Sequence, residues 1–341
     1  MTQTNQRYYR KVIKIRAEDS PSVRLGFAQQ RKGLPQTNEK VIPGVLDWDT
    51  YKKRRKTWDK IRQCTGLDAE FYEGAEILLY PPEWLNWSER YAELLRGRVP
   101  RKAVAMGVDP AEGGDSTAIS VVDYYGLIEL VSKKTPDTSV VTGEVLAMMH
   151  KYNLPPDRVV FDRGGGGKQH ADRLRDQGYP VCTVAFGEAV SLDPKYGTTS
   201  VRERIETKED RYVYKNRRAE MYGEFHILLD PGEHLKEDIN DVVSWMITSS
   251  KNGDGASLYD GIGFAIPAIY TELRRQLAPI PKTFDGEGRL YILPKQKPNP
   301  NHTGPTLTDL IGCSPDEADS LVLAVHGMLH KTTKVIAGAI G

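Results

Sequence analysis

From residue 103 onward the apolar positions alternate between two textures. AVAMGVD (103–109) is a short apolar run that ends in a carboxylate, and STAISVVDYYGLIELVSKK (116–134) reads as two β-branched strands around a tight turn at Tyr125-Gly126. Apolar residues at 141, 145, 148 and 152 then keep helical spacing. RVVFD (158–162) is a further strand ending in a carboxylate, GGGG a turn, KQHADRLRDQG (168–178) a helix stopped by glycine, and PVCTVAF (180–186) a strand. Helices are expected at about 209–225 and 315–330. This order predicts an α/β fold built on a mixed sheet. Residues 187–210, 250–262 and 279–305 are polar or rich in Gly, Pro and Asn, and are expected to be long loops, either mobile or functional.

The first hundred residues read differently. RKVIKIR alternates like a short strand before AEDSPSVR breaks it. Residues 1–16 hold Arg7, Arg10, Lys11, Lys14 and Arg16 without an acid, and residues 52–62 hold seven Lys or Arg against one Asp. Such runs are either solvated helix faces or DNA contacts. PPEWLNWSERYAELLRGR (81–98) reads as a helix opened by proline and closed at Gly97, with Trp58, Trp84 and Trp87 as packing anchors of the segment. The expected boundary lies at 100, between an N-terminal linker region (1–100) and a larger domain (101–341).

Composition narrows the class. The chain has 341 residues, 39% hydrophobic and 27% charged, ordinary for a soluble protein with a real core. A net charge of +1 excludes a uniformly basic coat but leaves room for local patches. Cys64, Cys182 and Cys313 are far apart and lack CxxC spacing, which argues for a reducing compartment and against structural zinc. There is no run of 18 apolar residues and no apolar signal core, so a soluble intracellular protein is expected.

The sharpest chemical signal is SPDEADS (314–320). Ser314, Pro315 and Glu317 spell a helix start with a capping box, and Asp316 and Asp319 fall on one face of its first turn. The letters D-E-A-D do not make this a nucleotide box. That box needs a preceding strand and a GxxxxGK[ST] loop, whereas here IGCSP precedes it and Gly167-Lys168 is followed by Gln169. Asp109 and Asp162 end strands, where an α/β sheet presents side chains to a ligand crevice. Three carboxylates converging there would repel, and all-oxygen ligands favour Mg²⁺ or Mn²⁺. Two such ions can activate a water and stabilise the leaving oxygen of a phosphodiester. Basic residues Arg202, Arg204, Lys208, Arg211, Lys215, Arg217 and Arg218, with Lys168 after the glycine run, are expected to grip a DNA backbone. His326 and His330 in HGMLH lack the glutamate of a zinc-protease helix and read as packing or surface positions.

GVDPAEGGDSTAISVVD, VVFDRGGGGKQHADRL and GCSPDEADSLVLA resemble, in order, the three acidic motifs in the nuclease domain of the large terminase subunit of tailed bacteriophages. RYYRKVIKIRAEDSPSV, PGVLDWDTYKKRRKTWD and YPPEWL resemble the stretch that joins that family's motor to its nuclease. The resemblance implies an RNase H-like sheet flanked by helices and two-metal cleavage of concatemeric double-stranded DNA. By position, Asp109, Asp162 and Asp319 match the catalytic metal-binding acids, Asp115 and Asp316 match secondary acids, and Lys295 in LYILPK matches a basic residue near the cleft. Implied partners are the portal protein, the small terminase subunit and an ATPase motor, in the host cytoplasm and transiently at the procapsid portal. The chain shows no Walker motif, so the motor activity is not assigned to it. Two other classes share parts of the pattern. An actin-like or sugar-kinase-like ATPase would use the D-R-G-G-G turn at 162–166, and a non-catalytic DNA- or portal-docking module would carry residual acids.

Overall fold

The computed structural model describes residues 14–57, 63, 66–69, 78–111, 116–135, 137–190, 213–249, 262–285, 287–299 and 304–330. They fall into two compact units that divide at Glu76. In the first, α1 (Pro21–Arg31) and α2 (Trp48–Thr57) close on Val23, Trp48, Tyr51 and Leu67, with Phe27 edge-on to Trp48 at 4.9 Å. The basic face of α2 is partly satisfied within the unit. Lys52 pairs with Asp49 at 3.1 Å, and Arg55 bridges Glu18 at 3.3 Å and Asp68. Residues 14–16 are irregular rather than extended in a strand, while 1–13 and 58–62 lie outside the described residues.

Along the second unit run α3 (Pro82–Leu95), β1 (Ala105–Asp109), β2 (Ser116–Val122), β3 (Leu127–Lys134), α4 (Val140–Tyr152), β4 (Val159–Asp162), α5 (Gly167–Asp176), β5 (Cys182–Val184), α6 (Arg217–Leu229), α7 (Ile239–Ser249), α8 (Thr271–Leu277), β6 (Thr283–Phe284), β7 (Leu290–Tyr291), α9 (Leu307–Ile311) and α10 (Asp316–Leu329). Helix α3, expected on the N-terminal side of a boundary at 100, belongs here. Its stripe of Trp87, Tyr91 and Leu95 packs on Val242, Val243 and Met246 of α7, and Trp87 Nε1 donates to the Ile262 carbonyl at 2.7 Å. No helix among the described residues is long and apolar enough to cross a membrane.

The sheet has the order β3-β2-β1-β4-β5. β1 is antiparallel to β2 and parallel to β4, and β4 is parallel to β5. Because successive side chains alternate faces, Met106 and Val108 of β1 and Val159 and Phe161 of β4 turn to one side, into a core with Val145, Met148 and Leu174 of α4 and α5. Ala105 and Val160 turn to the other, against Leu321, Val322 and Val325 of α10. The same alternation sends Gly107, Asp109 and Asp162 to the α10 face. A Cβ at Gly107 would collide with the Ser320 carbonyl oxygen and the Ala324 amide nitrogen, so only glycine lets α10 lie this close to β1. A buried Ser120–Ser320 hydrogen bond of 2.7 Å ties α10 to β2 as well.

Two helix starts differ from expectation. Ser314 does not cap α10; it bonds the Asp316 carboxylate instead, and the buried first-turn amides of Glu317 and Ala318 donate to the Gln276 side chain on α8 at 3.0 and 3.1 Å. Helix α6 begins at Arg217 rather than near 209, because the Asn216 side chain accepts from the Ala219 amide at 3.0 Å.

Candidate active site

Asp109 and Asp162 stand at the ends of adjacent parallel strands, just past the Val108–Phe161 rung. Asp319, fully buried in the first turn of α10, completes the group. The Lys295 ammonium bridges two of the three, 2.7 Å from Asp319 Oδ2 and 3.4 Å from Asp109 Oδ2. Arg218 Nη2 reaches both oxygens of Asp319 at 3.0 and 3.1 Å, and the Tyr222 hydroxyl donates to Oδ1 at 2.6 Å. Arg218 and Tyr222 are one turn apart on α6, so that helix holds Asp319 from one face.

The charges are unequal. Burial drives the Asp109 carboxyl well above its ordinary range; Lys295 opposes this, while Asp319, Asp162 and Asp316 add to it. Burial also raises Asp162, against the Gly164 amide that donates to it, and Asp319 pushes it further up. At Asp319 burial acts upward too, but Arg218 and Lys295 outweigh it and keep the carboxylate ionised. Asp109 is therefore the acid short of positive charge.

The glycine run shapes the turn beneath Asp162. Gly165 and Gly166 take positive φ of 54° and 74°, and a Cβ at Gly167 would run into the Asp162 carbonyl oxygen. Lys168 is exposed in the first turn of α5 directly after it. Beside the acids opens a groove of about 840 Å³ whose walls include Lys215, Arg218, Tyr291 and Lys295. Lys215 is exposed, with its ammonium 5.2 Å from the Tyr291 ring centre.

Of the other expected site residues, Asp316 lies apart from the Lys295 bridge; it accepts from the Ser116 amide at 3.0 Å. Arg217 pairs with Glu220 at 2.7 Å. Arg218 does not offer itself on the surface, because a helix beginning at Arg217 turns it inward to Asp319. Asp115, Arg202, Arg204, Lys208 and Arg211 lie outside the described residues. Sequence reasoning missed Tyr222 and Gln276. Tyr222 carried a signal, since it follows Arg218 by four on a predicted helix; Gln276 carried none.

The three aspartates do not draw together as tightly as a filled metal site. Among the described residues, the group of three possible ligands with atoms within 4.8 Å of one another is Glu224, His326 and His330. Lys295 instead supplies the positive charge between Asp109 and Asp319. The donor set still suits a hard divalent ion, being all oxygen, buried at Asp109 and Asp319, half-buried at Asp162, and under-neutralised.

A five-stranded mixed sheet in the order 3-2-1-4-5, with acids at two neighbouring strand ends and a third on the crossing helix, is an RNase H-like fold. No protein-family model and no curated protein matches the sequence. Solved structures that it resembles include nuclease domains of phage large terminase subunits. A point mutant of gp2c of the large terminase subunit from bacteriophage Sf6, with calcium, aligns with a TM-score of 0.50 at 15% identity, covering 73% of this chain and 99% of that one. The nuclease domain of large terminase subunit gp2 of bacterial virus Sf6 aligns at 0.48 and 18% identity over the same shares. The large terminase nuclease from thermophilic phage G20c with bound magnesium gives 0.33 at 15% identity, over 66% of this chain and 82% of that one. At these identities the likeness speaks for the fold.

Proposed function

We propose that this chain is a divalent-metal-dependent DNA endonuclease of a viral packaging terminase, cutting concatemeric double-stranded DNA. The observation that carries the reading is that Asp109 and Asp162 end adjacent parallel strands beside Asp319 of α10, with a lysine ammonium between Asp109 and Asp319. These three acids would hold two Mg²⁺ or Mn²⁺ ions, which polarise the attacking water and stabilise the leaving oxygen when bound.

The remaining groups position and neutralise. Arg218 and Tyr222 fix the Asp319 carboxylate in one orientation, and the Gly164 amide fixes Asp162. Lys295 balances Asp109 and Asp319, and would give way in part to a bound ion. The buried Arg218 Nε–H has no acceptor among the described residues, and a phosphate oxygen in the groove would supply one. Exposed Lys168 and Lys215 flank the acids and suit sequence-independent backbone contacts; Arg202, Arg204, Lys208 and Arg211 would extend them. The similar gp2c of the Sf6 large terminase subunit was solved with calcium, which supports a divalent-ion reading. On this reading the partners are DNA, the portal, the small subunit and an ATPase motor, and the place of work is the host cytoplasm.

The test is conversion of supercoiled plasmid with Mn²⁺ or Mg²⁺. Nicked and linear products are expected, with Asp109→Ala and Asp162→Ala each lowering the rate by at least about 10²-fold, the scale of losing one charge-stabilising group. Intact plasmid with the folded wild-type chain favours a docking module, and ATP binding favours the kinase-like class.

A further inference from the structure

Along the seam where α6 meets α10, a second cluster lies beyond the aspartates. His326 lies in the last turn of α10 and His330 is the extended residue that ends it, with ring centroids 4.1 Å apart, and Glu224 faces both from α6. His330 Nε2 donates to Glu224 Oε1 at 2.5 Å, and His326 Nδ1 lies 3.3 Å from Oε2. All three side chains are buried, at 3–6% exposure. One atom from each lies within 4.8 Å of the other two.

We propose that Glu224, His326 and His330 form a separate metal site that takes one zinc-class ion and clamps α6 to α10. Two imidazole nitrogens with one carboxylate are a borderline donor set that selects Zn²⁺ or Co²⁺ over Mg²⁺, in contrast to the all-oxygen cluster at Asp319. A histidine in the last turn of α10, a second at the residue that ends it and a carboxylate from the neighbouring helix already bring three donor atoms within 4.8 Å of one another, so only small side-chain rotations are needed to turn them toward one point. Glu220, one turn before Glu224 on α6, is a further acid beside the site, and its partner Arg217 at 2.7 Å is the opposing charge.

The site has a structural consequence. Asp319 and His326 are seven residues apart on α10, roughly 10 Å along the axis, and Tyr222 and Glu224 face them from α6. An ion at the histidine end would hold the seam that also carries the Tyr222–Asp319 bond. Its ligands are distinct from the three aspartates, so the proposal stands or falls independently of the nuclease reading.

The experiment uses the whole chain carrying Asp109→Asn and Asp162→Asn, so that ions at the aspartates do not confuse the count. One equivalent of Zn²⁺ should stay bound through dialysis against excess Mg²⁺. Co²⁺ in its place should give the visible d–d absorption of a low-coordinate nitrogen-containing site. Glu224→Gln and His330→Gln, each checked for folding by far-UV circular dichroism, should weaken Zn²⁺ by at least the ~10–100-fold that even outer partners of metal sites carry. Absence of both the retained Zn²⁺ and the Co²⁺ spectrum overturns the proposal without recourse to any variant. So does Zn²⁺ binding that survives unchanged in folded Glu224→Gln and His330→Gln chains.

Discussion

Lys295→Met is the substitution on which the electrostatics of the acid cluster can be judged. It keeps the aliphatic stem and removes the ammonium that lies 2.7 Å from Asp319 and 3.4 Å from Asp109. Asp319 retains Arg218 and Tyr222, so its loss is small. Asp109 loses the one cation that opposes its burial and its three acidic neighbours. Orphaning a buried charge costs ~3–5 kcal/mol in full. Two features reduce this: the Lys295 side chain is 31% exposed, so the pair is partly screened, and Asp109 can take up a proton. About 2 kcal/mol remains, equivalent to a fall in Tm of roughly 4–8 °C for a unit of this size. The assay is thermal unfolding in EDTA and again with excess Mn²⁺. In EDTA the variant should melt lower. With Mn²⁺ the gap should narrow or reverse, because the ion no longer competes with an ammonium; an ion present at 100 times its Kd adds about 2.7 kcal/mol. Identical melting of variant and wild type in EDTA, or an equal Mn²⁺ gain in both, would refute the idea that Lys295 holds the place of a cation.

Three further outcomes are expected. Asp109 has a folded-state pKa above its unfolded value, so the stabilising protonation is complete below about pH 4 and is lost as pH rises through the folded value; Asp109→Asn should therefore raise Tm in EDTA at neutral pH and converge with wild type in acid, and a fixed offset across the range would show the shift is absent. Gly107→Ala should destabilise by ~1–3 kcal/mol, the range for overpacking a close contact, since its Cβ meets the α10 backbone; denaturant midpoints decide this, and an unchanged midpoint means the helix is not seated there. Gly167→Ala should displace the backbone under Asp162 and reduce plasmid cleavage at fixed metal by more than its change in Tm accounts for, whereas full activity would show the turn does not position that acid.

What the chain disclosed in advance follows from how far each force reaches. The central strands and their terminal acids were legible because period-two alternation and strand-end carboxylates are local patterns, and Asp109 and Asp162 needed nothing else. The start of α6 was placed too early, since a polar amphipathic stretch continues before Asn216 and only the cap hydrogen bond to Ala219 marks the true first turn. The α10 start was located, but its capping was misread, because Gln276 is about forty residues away in sequence. Glu224 was invisible for the same reason, its histidine partners lying about a hundred positions downstream. Lys295 entered only through resemblance, because no periodicity connects a loop lysine to a strand-end acid.

Ser116 bonds Asp316 and Ser120 bonds Ser320, each pair 200 positions apart. At a ribosomal pace of roughly 5–20 residues per second, the strand acids emerge roughly 8–40 s before the helix that completes them. A nascent polypeptide thus carries Asp109 and Asp162 with no third carboxylate to join them. On the nuclease reading, translation itself delays the cut, and a premature stop anywhere before Asp319 leaves a product without the third acid.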